Sequence, residues 1–335
     1  MLSVKLLASF VIAAVCLWAA ALHVDGQELL DALAGFNHLY LIPAITVSLL
    51  IQIFRAWRWK IELSPLADLR FSLVWQVVAV AYMMINLLPF RLGEPVRPVL
   101  LSWKTELTIP AIVGNWVFEK MMDTAAIVFF LHVALIVTDL PEWANAASLA
   151  SLIMFGTLLC VVVGFWLRGE AFFNATLGRI LPDRPRTKVL RILEDAREGL
   201  QILPDRRLVA LVFVVTLGLW FLPILSSYIF ILGFDFDVPF AAALCVFVAI
   251  SAGTAIPPPP GMFGIFQIAS VVALGLFGVP KAEALAFGIL INATQFLTLI
   301  GQGLIALPMV GIGIGKMTEV AVAQSKQRHH HSQSA

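Results

Sequence analysis

The chain has 335 residues, of which 60% are hydrophobic and 13% are charged, and its formal net charge is +1. Soluble domains contain about 45–50% apolar and about 25% charged residues. This composition therefore excludes an ordinary soluble protein and indicates an integral membrane protein. The net charge of +1 says nothing about partners, but the lack of a basic face argues against a nucleic-acid partner.

Long apolar stretches recur along the chain, and a membrane-spanning helix needs about 20 such residues. The first stretch is longer than the apolar core of a secretory signal, so we expect it to be retained as a helix. The stretches predicted to cross the membrane completely are 5–22, 39–59, 108–137, 148–167, 208–232 and 284–311.

Basic residues set the predicted orientation, because Lys and Arg are concentrated in cytoplasmic loops. Nine basic side chains lie in 168–207, whereas 23–38, 138–147 and 233–238 contain none. The first segment is therefore predicted to be cytoplasmic, with an amphipathic helix in it, and the other three to be extracytoplasmic. Both termini are predicted to be cytoplasmic, the C-terminal one as a tail at 315–335.

This orientation requires two apolar segments to enter the membrane and return to the same side. The first predicted re-entrant hairpin is 71–106 and the second is 239–278, and each turns at residues that break helices. The residues that mark the two turns are Asn86, Pro89, Gly93, Pro257 and Gly261.

The two turns share an apolar-Pro-x-x-x-Gly pattern, and each hairpin follows two helices and precedes one. The halves 1–147 and 148–314 are therefore predicted to be inverted repeats, an arrangement that places transport sites at the repeat interface. Chance similarity between two ordinary loops is the alternative. The predicted fold class is all-α: a polytopic membrane protein, an inverted repeat of three spanning helices plus one re-entrant hairpin per half.

Ionisable side chains at membrane depth cost at least about 2.5–3.5 kcal/mol, so they are functional candidates. Asn115, Glu119 and Asp123 follow one another at intervals of four and share one face of the helix 108–137. The predicted substrate-binding residues are Arg55, Arg58, Arg91, Glu94, Arg97, Glu119, Lys120, Asp123, Asn292 and Gln295.

Two interpretations of the charged residues stay open. Arg91 and Arg97 either pair with carboxylates only to hold helices together, or bind a lipid phosphate through two hydrogen bonds each. In the second case a carboxylate exchanges partners or a proton as the substrate moves. Arg55 and Arg58 lie beside tryptophans at the end of the second helix, where they reach towards the membrane surface or collect anionic head groups.

The last helix carries Asn292, Gln295 and Gln302 on one face. Interhelical hydrogen bonding is the simpler interpretation, and a polar wall of a transport pathway is the other. The second hairpin itself carries no charge.

Several motifs of this chain resemble the flippase-like integral membrane family, also called the lysylphosphatidylglycerol synthase transmembrane-region family. They are Arg55-Ala-Trp-Arg58-Trp, Asn86-Leu-Leu-Pro-x-Arg-x-Gly-Glu94-x-x-Arg97, Glu119-Lys-Met-Met-Asp123 and the Pro-x-Pro-x-Gly261 turn. One departure concerns Gln267, which stands where the resemblance leads us to expect an acidic residue.

The resemblance implies a bacterial or archaeal inner-membrane protein that translocates lipids or lipid-linked head groups. In multidomain relatives the membrane unit precedes a soluble aminoacyl-transferase domain, which we expect to be absent here, so no enzymatic activity is predicted. The expected partners are membrane lipids, either an anionic phospholipid or a polyprenyl-linked head group.

The sequence therefore predicts a flippase-like transporter that does not hydrolyse ATP, since no Walker motif is present. No cofactor, metal ion or catalytic residue is predicted. One alternative is a non-transporting scaffold for an envelope-lipid or glycan-assembly enzyme. Another is an enzyme that uses Glu119 and Asp123 for acid–base chemistry, although no nucleophile accompanies them.

Overall fold

The structure is a computed structural model, and it describes residues 11, 14–88, 93–138, 143–176, 183–254 and 259–311. All regular secondary structure in these ranges is helical, which confirms the all-α prediction. The helices are α1 (14–21), α2 (Gly26–Gly35), α3 (Leu41–Leu63), α4 (Phe71–Leu87), α5 (Val96–Lys104), α6 (Ile109–Val137), α7 (Trp143–Thr176), α8 (Asp183–Glu198), α9 (Arg206–Gly233), α10 (Phe240–Gly253), α11 (Ile265–Gly275) and α12 (Lys281–Val310).

Within the described ranges, five helical segments are long and apolar enough to cross a bilayer. They match five of the predicted crossings, and the remaining one, 5–22, lies only partly within the described residues. Their bounds are His38–Leu63, Ile109–Val137, Ser148–Gly169, Arg206–Gly233 and Lys281–Val310.

Three apolar helices are shorter, and they lie in the two predicted hairpins. Helix α4 has 17 residues, α10 has 14 and α11 has 11, whereas a straight crossing needs about 20. Helix α4 ends at Leu87, two residues before Pro89 of the sequence, because proline disfavours helical backbone in the residue before it.

Local capping explains where the long helices begin and end. Thr108 precedes α6, and its hydroxyl oxygen accepts a hydrogen bond of 3.3 Å from the backbone N–H of Ala111. Pro110 lies in the first turn, where a missing N–H has no consequence. Helix α12 ends at Val310, and the next residue, Gly311, has a left-handed φ of +69°, which suits a glycine.

The amphipathic helix predicted in 168–207 is present as α8, and it packs against α6 and α7. A Cβ atom on Gly114 of α6 would collide with the backbone carbonyl of Ala196. A Cβ atom on Gly199 would likewise collide with the carbonyl of Ala111. The end of α8 therefore lies directly on the backbone of α6, and both contacts require glycine.

The chain divides into two compact units. The first unit takes its residues from 1–53, 75–97 and 221–335, and the second unit from 54–74 and 98–220. In the first unit, α12 packs against α2 and α11, and α11 packs against α10. In the second unit, α6, α7 and α8 pack against one another.

Candidate functional site

The second unit contains a buried ionic cluster centred on Arg58, which lies near the end of α3. The Nη1 atom of Arg58 lies 2.5 Å from Oδ1 of Asp123, and Nη2 lies 2.8 Å from Oε1 of Glu119. The Nε atom lies 3.3 Å from Oε1 of Glu62, one turn further along α3. Only 2% of the Arg58 side chain is exposed. One arginine thus holds three carboxylates inside the protein.

Helix α9 completes this cluster from a third direction. The Nη1 group of Arg58 donates a hydrogen bond of 3.3 Å to the hydroxyl of Thr216. The indole N–H of Trp220 donates a hydrogen bond of 2.9 Å to Oδ1 of Asp123. A single Asp123 oxygen therefore accepts from residues of two different helices, and displacing Asp123 affects α3, α6 and α9 together.

Asn115 fixes the position of α3 on α6. Its Oδ1 accepts a hydrogen bond of 3.1 Å from the indole N–H of Trp59, and its Nδ2 donates one of 3.0 Å to the backbone carbonyl of Glu62. Since Asn115, Glu119 and Asp123 all contact α3, the prediction that they share one face of α6 is confirmed. Asn115 sets the position at which Arg58 meets the two carboxylates.

Lys120 lies at the edge of the cluster. Its Nζ atom is 3.5 Å from Oδ2 of Asp123 and 5.8 Å from the centre of the Trp116 ring, and 41% of its side chain is exposed. Lys120 is therefore a second positive group at Asp123, and it is more exposed than Arg58.

The interpretation of Arg58 as a residue that reaches to the membrane surface is wrong. Arg58 and Trp59 are buried, because the guanidinium turns inward to the carboxylates of α6. Arg55 is half-buried, and Trp57 is 44% exposed. Only the outer residues of this segment have the exposure expected at an interface.

Sequence reasoning missed three members of the cluster, namely Glu62, Thr216 and Trp220. Glu62 follows Arg58 by four residues, which is the spacing of ion pairs on one helix face. The span predicted from the sequence ends at 59, whereas α3 continues to Leu63. Thr216 and Trp220 are polar residues in an apolar helix and carry no pattern that pairs them with α6.

The first predicted turn belongs to the first unit. A Cβ atom on Gly93 would collide with the backbone of Met84 and Ile85 in α4, so the chain folds back onto α4 at this glycine. Asn86 donates a hydrogen bond of 2.8 Å to the carbonyl of Tyr82, four residues before it. Arg97 is buried and Glu94 is half-buried. Arg91 and Pro89 lie outside the described residues, and the pairing of Arg91 and Arg97 with carboxylates stays a prediction.

The second turn, also in the first unit, is stabilised by two uncharged amides. The Nδ2 group of Asn292 on α12 donates a hydrogen bond of 2.9 Å to the carbonyl of Gly261. Gln267 accepts one of 2.7 Å from the N–H of Gly264 and donates one of 3.4 Å to the carbonyl of Gly288. Gly261 and Gly264 have φ values of +64° and +90°, which glycine adopts readily.

Gln267 therefore has a structural role at the position where an acidic side chain was expected. An ionised carboxylate accepts hydrogen bonds only, so it has no donor for the Gly288 carbonyl. Pro257 lies outside the described residues. Further along α12, Gln295 is half-buried and Gln302 is buried.

The two places differ in their polar groups: the Arg58 cluster is charged, whereas the second turn has uncharged amides. In the part of the chain that the structure describes, no three His, Cys, Asp or Glu side chains form a group that could hold a metal ion.

Comparison with known proteins identifies the family to which these features belong. Residues 6–303 match the family described as the lysylphosphatidylglycerol synthase TM region, which confirms the family predicted from the motifs. A UPF0104 membrane protein of Methanothermobacter thermautotrophicus is 22% identical over 329 residues, covering 91% of this chain and 96% of the relative. The UPF0104 membrane protein MJ1078 of Methanocaldococcus jannaschii is 24% identical over 228 residues, covering 67% and 93%.

Proposed function

Because this chain is a multi-pass membrane protein that belongs to the lysylphosphatidylglycerol synthase TM-region family, we propose that it is a flippase-like transporter. It moves a lipid or a lipid-linked anionic head group across the inner membrane of a bacterium or an archaeon. It does so without hydrolysing ATP, and therefore downhill, by exchange, or on an ion gradient.

The observation that carries this proposal is the cluster around Arg58. Burying ionised side chains costs several kcal/mol each, and replacing a buried ion pair by apolar residues is often neutral or stabilising. Helix packing alone therefore does not require a buried arginine in contact with three carboxylates. Ionisable groups inside membrane helices usually mark the path of a substrate or an ion.

The contacts of Arg58 suggest how the site responds to an anionic head group. Its donors face Glu62, Glu119, Asp123 and Thr216. A phosphate can bind the guanidinium only by displacing a carboxylate, and guanidinium groups bind phosphate through two parallel hydrogen bonds. Lys120 lies beside Asp123 and provides a cation for the displaced carboxylate or for the incoming phosphate. Because the displaced contacts join α3, α6 and α9, substrate binding alters the packing of all three.

The proposed substrate-binding set extends beyond this cluster. It retains the charged residues of the first turn and the polar residues of α12, since both lie next to interrupted helices where transporters bind their substrates. Its members are Arg55, Arg58, Arg91, Glu94, Arg97, Glu119, Lys120, Asp123, Asn292 and Gln295.

The proposed fold is an inverted repeat with a re-entrant hairpin in each half. Two features support it: the short apolar helices α4, α10 and α11, and the contacts after each turn, where Gly93 lies against the backbone of α4 and α11 packs against α10. Broken helices of this kind occur within membranes only where protein or a polar cavity surrounds them.

The proposed orientation places both termini in the cytoplasm, and a cavity in the first unit supports it. In the first unit, a cavity of about 910 Å³ is lined by residues of 28–35, 234–238 and 277–283. Two of these segments belong to loops predicted to be extracytoplasmic because they lack Lys and Arg. Their meeting at one cavity supports placing both loops on the same side of the membrane.

A reconstituted system tests the transport function. Purified protein is placed in liposomes of phosphatidylglycerol and phosphatidylcholine, and the outward movement of fluorescent phosphatidylglycerol is followed by dithionite quenching. Asp123→Asn keeps the shape of the side chain but removes its charge, which weakens charge-assisted hydrogen bonds of about 1.5–3 kcal/mol each. We expect translocation to be roughly 10- to 100-fold slower.

Lys60→Gln is the matched control, because it removes a charge from the same end of α3 without touching the cluster. It is expected to transport at the wild-type rate. If both Asp123→Asn and Arg58→Lys translocate lipid at the wild-type rate, the cluster takes no part in transport. No translocation by the wild type, together with a co-purifying glycosyl- or acyltransferase, would contradict transport and favour the scaffold alternative.

A further inference from the structure

The cavity of about 910 Å³ in the first unit has acidic walls. Its lining residues come from three segments: α2, the connection between α9 and α10, and the connection from α11 into the first turn of α12. Each segment supplies at least one carboxylate, and in the part of the chain that the structure describes no basic side chain lines the cavity. The lining carboxylates are Glu28, Asp31, Asp235, Asp237 and Glu283.

The negative charge of these walls has no cationic partner close by. Among the described residues, none of the five carboxylates takes part in an ion pair. Lys281 is near them in the sequence, but its Nζ atom donates a hydrogen bond of 2.5 Å to the carbonyl of Leu22, just after α1. The cavity therefore carries an excess of negative charge.

The ends of two helices add to this negative potential. Gly35, the last residue of α2, lines the cavity, and α9 ends at Gly233, directly before the lining residue Phe234. The C-terminus of a helix carries a partial negative charge, and neither helix has a basic residue in its last turn. Helix α12 begins here with the opposite polarity, but Glu283 lies in its first turn. The cavity as a whole favours a positively charged occupant.

Aromatic rings give the cavity an apolar wall. Phe234 and Phe236 line it, with ring centres 5.1 Å apart and ring planes 20° apart. Both rings also lie beside the buried Phe287 of α12, at 6.1 and 6.4 Å between centres. Phe36 packs against Phe234 at 4.8 Å. Aromatic faces attract cations as well as hydrocarbon, so this wall can contact both parts of an organic cation.

Contacts within the fold hold the three segments together. The N–H of Asn37 donates a hydrogen bond of 2.8 Å to the carbonyl of Gly233, which joins the chain after α2 to the end of α9. A Cβ atom on Gly233 would collide with the ring of Phe36, and α12 packs against α2. The cavity is therefore formed by the fold itself. Its volume lies within the range of about 300–1,000 Å³ that is usual for small-molecule sites.

The spacing of the carboxylates does not suit a metal ion. In the described ranges, no three His, Cys, Asp or Glu side chains are placed so that they could hold one. Glu28 and Asp31 are three residues apart on α2, a spacing that separates side chains by about 5–6 Å. Asp235 and Asp237 flank the aromatic Phe236. Negative charges separated in this way suit an occupant whose positive charges are separated by hydrocarbon.

We propose that this cavity binds a linear polyamine, a methylene chain with ammonium groups at intervals. The ammonium groups pair with carboxylates of the three segments, and the methylene groups lie against Phe234 and Phe236. The site belongs to the first unit and the Arg58 cluster to the second. Because its charge repels an anionic head group, polyamine binding is an additional activity of the protein rather than a step of the proposed transport.

Isothermal titration calorimetry with spermidine tests the proposal, using purified full-length protein in a neutral detergent without added lipid. We expect saturable binding of one spermidine per protein. Propylamine, which lacks two of the three ammonium groups, is expected to bind about 25-fold more weakly, at about fivefold for each missing ion pair.

Three results of this titration would overturn the proposal. Heat that does not saturate would show that spermidine does not bind at a defined site. Mg²⁺ that binds as tightly as spermidine would show that any counter-ion produces the effect. A tetralysine peptide that binds while spermidine does not would assign the cavity to a basic protein segment instead.

Two aspartates give a matched pair of variants. Asp237→Asn removes one charge from the cavity, whereas Asp68→Asn makes the same change at an exposed residue that does not line it. We expect Asp237→Asn to bind spermidine about fivefold more weakly and Asp68→Asn to bind it like the wild type. Both proteins carry the same co-purified lipid, so a difference between them reports on the cavity.

Phe236→Leu tests the aromatic wall separately. It keeps an apolar side chain but removes the ring, and we expect spermidine to bind about two- to fivefold more weakly. Wild-type affinity in both Asp237→Asn and Phe236→Leu would overturn the site. Spermidine binding is measured without lipid translocation, so its failure and the failure of transport are separate results.

Discussion

The Arg58 cluster and the second turn handle buried polarity in opposite ways. In the second unit, charged side chains from α3 and α6 meet with polar groups of α9. In the first unit, the second turn is held by the uncharged amides of Gln267 and Asn292, which bind backbone groups near them. The difference teaches that the charged cluster is shared by three helices, whereas the second turn is stabilised by amides that satisfy its backbone.

The largest effect in this comparison is expected from Arg58→Met. Removing one partner of a buried ion pair leaves the others uncompensated and costs about 3–5 kcal/mol. The midpoint of thermal unfolding in detergent should fall sharply, and Arg58→Lys, which keeps the charge, should fall less. Asn292→Leu, the corresponding change in the uncharged region, is expected to cost less than Arg58→Met. A larger loss for Asn292→Leu would reverse the comparison.

The next largest effect is expected from Gly114→Ala. The new Cβ atom meets the backbone carbonyl of Ala196, which cannot move aside as a flexible side chain can. Overpacking of this kind costs about 3 kcal/mol, measured as a lower unfolding midpoint. Gly156→Ala is the control, because no atom lies within 4 Å of its Cβ position. Equal stability of the two variants would show that α8 does not lie on α6 as described.

A smaller effect is expected from Gln267→Glu in the uncharged region. The new carboxylate can still accept from the N–H of Gly264 but cannot donate to the carbonyl of Gly288, which costs about 2 kcal/mol. Thermal unfolding is again the measurement. Gln201→Glu introduces the same change at an exposed position and should leave the midpoint unchanged. A stable Gln267→Glu protein would mean that this turn tolerates charge as the Arg58 cluster does.

The smallest effect is expected from Lys120→Gln at the edge of the charged cluster. Partly exposed ion pairs contribute up to about 1 kcal/mol, so the unfolding midpoint should change little. The difference from wild type should shrink further at high salt, since salt screens exposed charges more than buried ones. A loss as large as that of Arg58→Met would place Lys120 inside the cluster rather than at its edge.

Much of the helical architecture could be predicted from the sequence. Apolar stretches of about 20 residues specify candidate spans because the bilayer thickness fixes their length, and five of them reappear in the structure. The predicted ends of the helices were less accurate. The predicted span stops at 59, whereas α3 extends to Leu63. Hydrophobicity does not reveal this last turn because it is polar and is held by packing.

The site was predicted only in part, and for a physical reason. The shared face of Asn115, Glu119 and Asp123 follows from helical spacing, which is a property of one helix. The inward orientation of Arg58 depends on which helix packs against α3, and no spacing within α3 encodes this. Thr216 and Trp220 belong to the cluster for the same reason.

The absence of charge around the second turn has a consequence for the response of the protein to voltage. Residues 239–280 contain no ionisable side chain except Cys245. A membrane potential exerts a force only on charges and dipoles, and moving one elementary charge through 100 mV changes the free energy by about 2.3 kcal/mol. The side chains of this region therefore feel almost no electrical force, whereas the charged side chains of the Arg58 cluster are groups on which a potential acts.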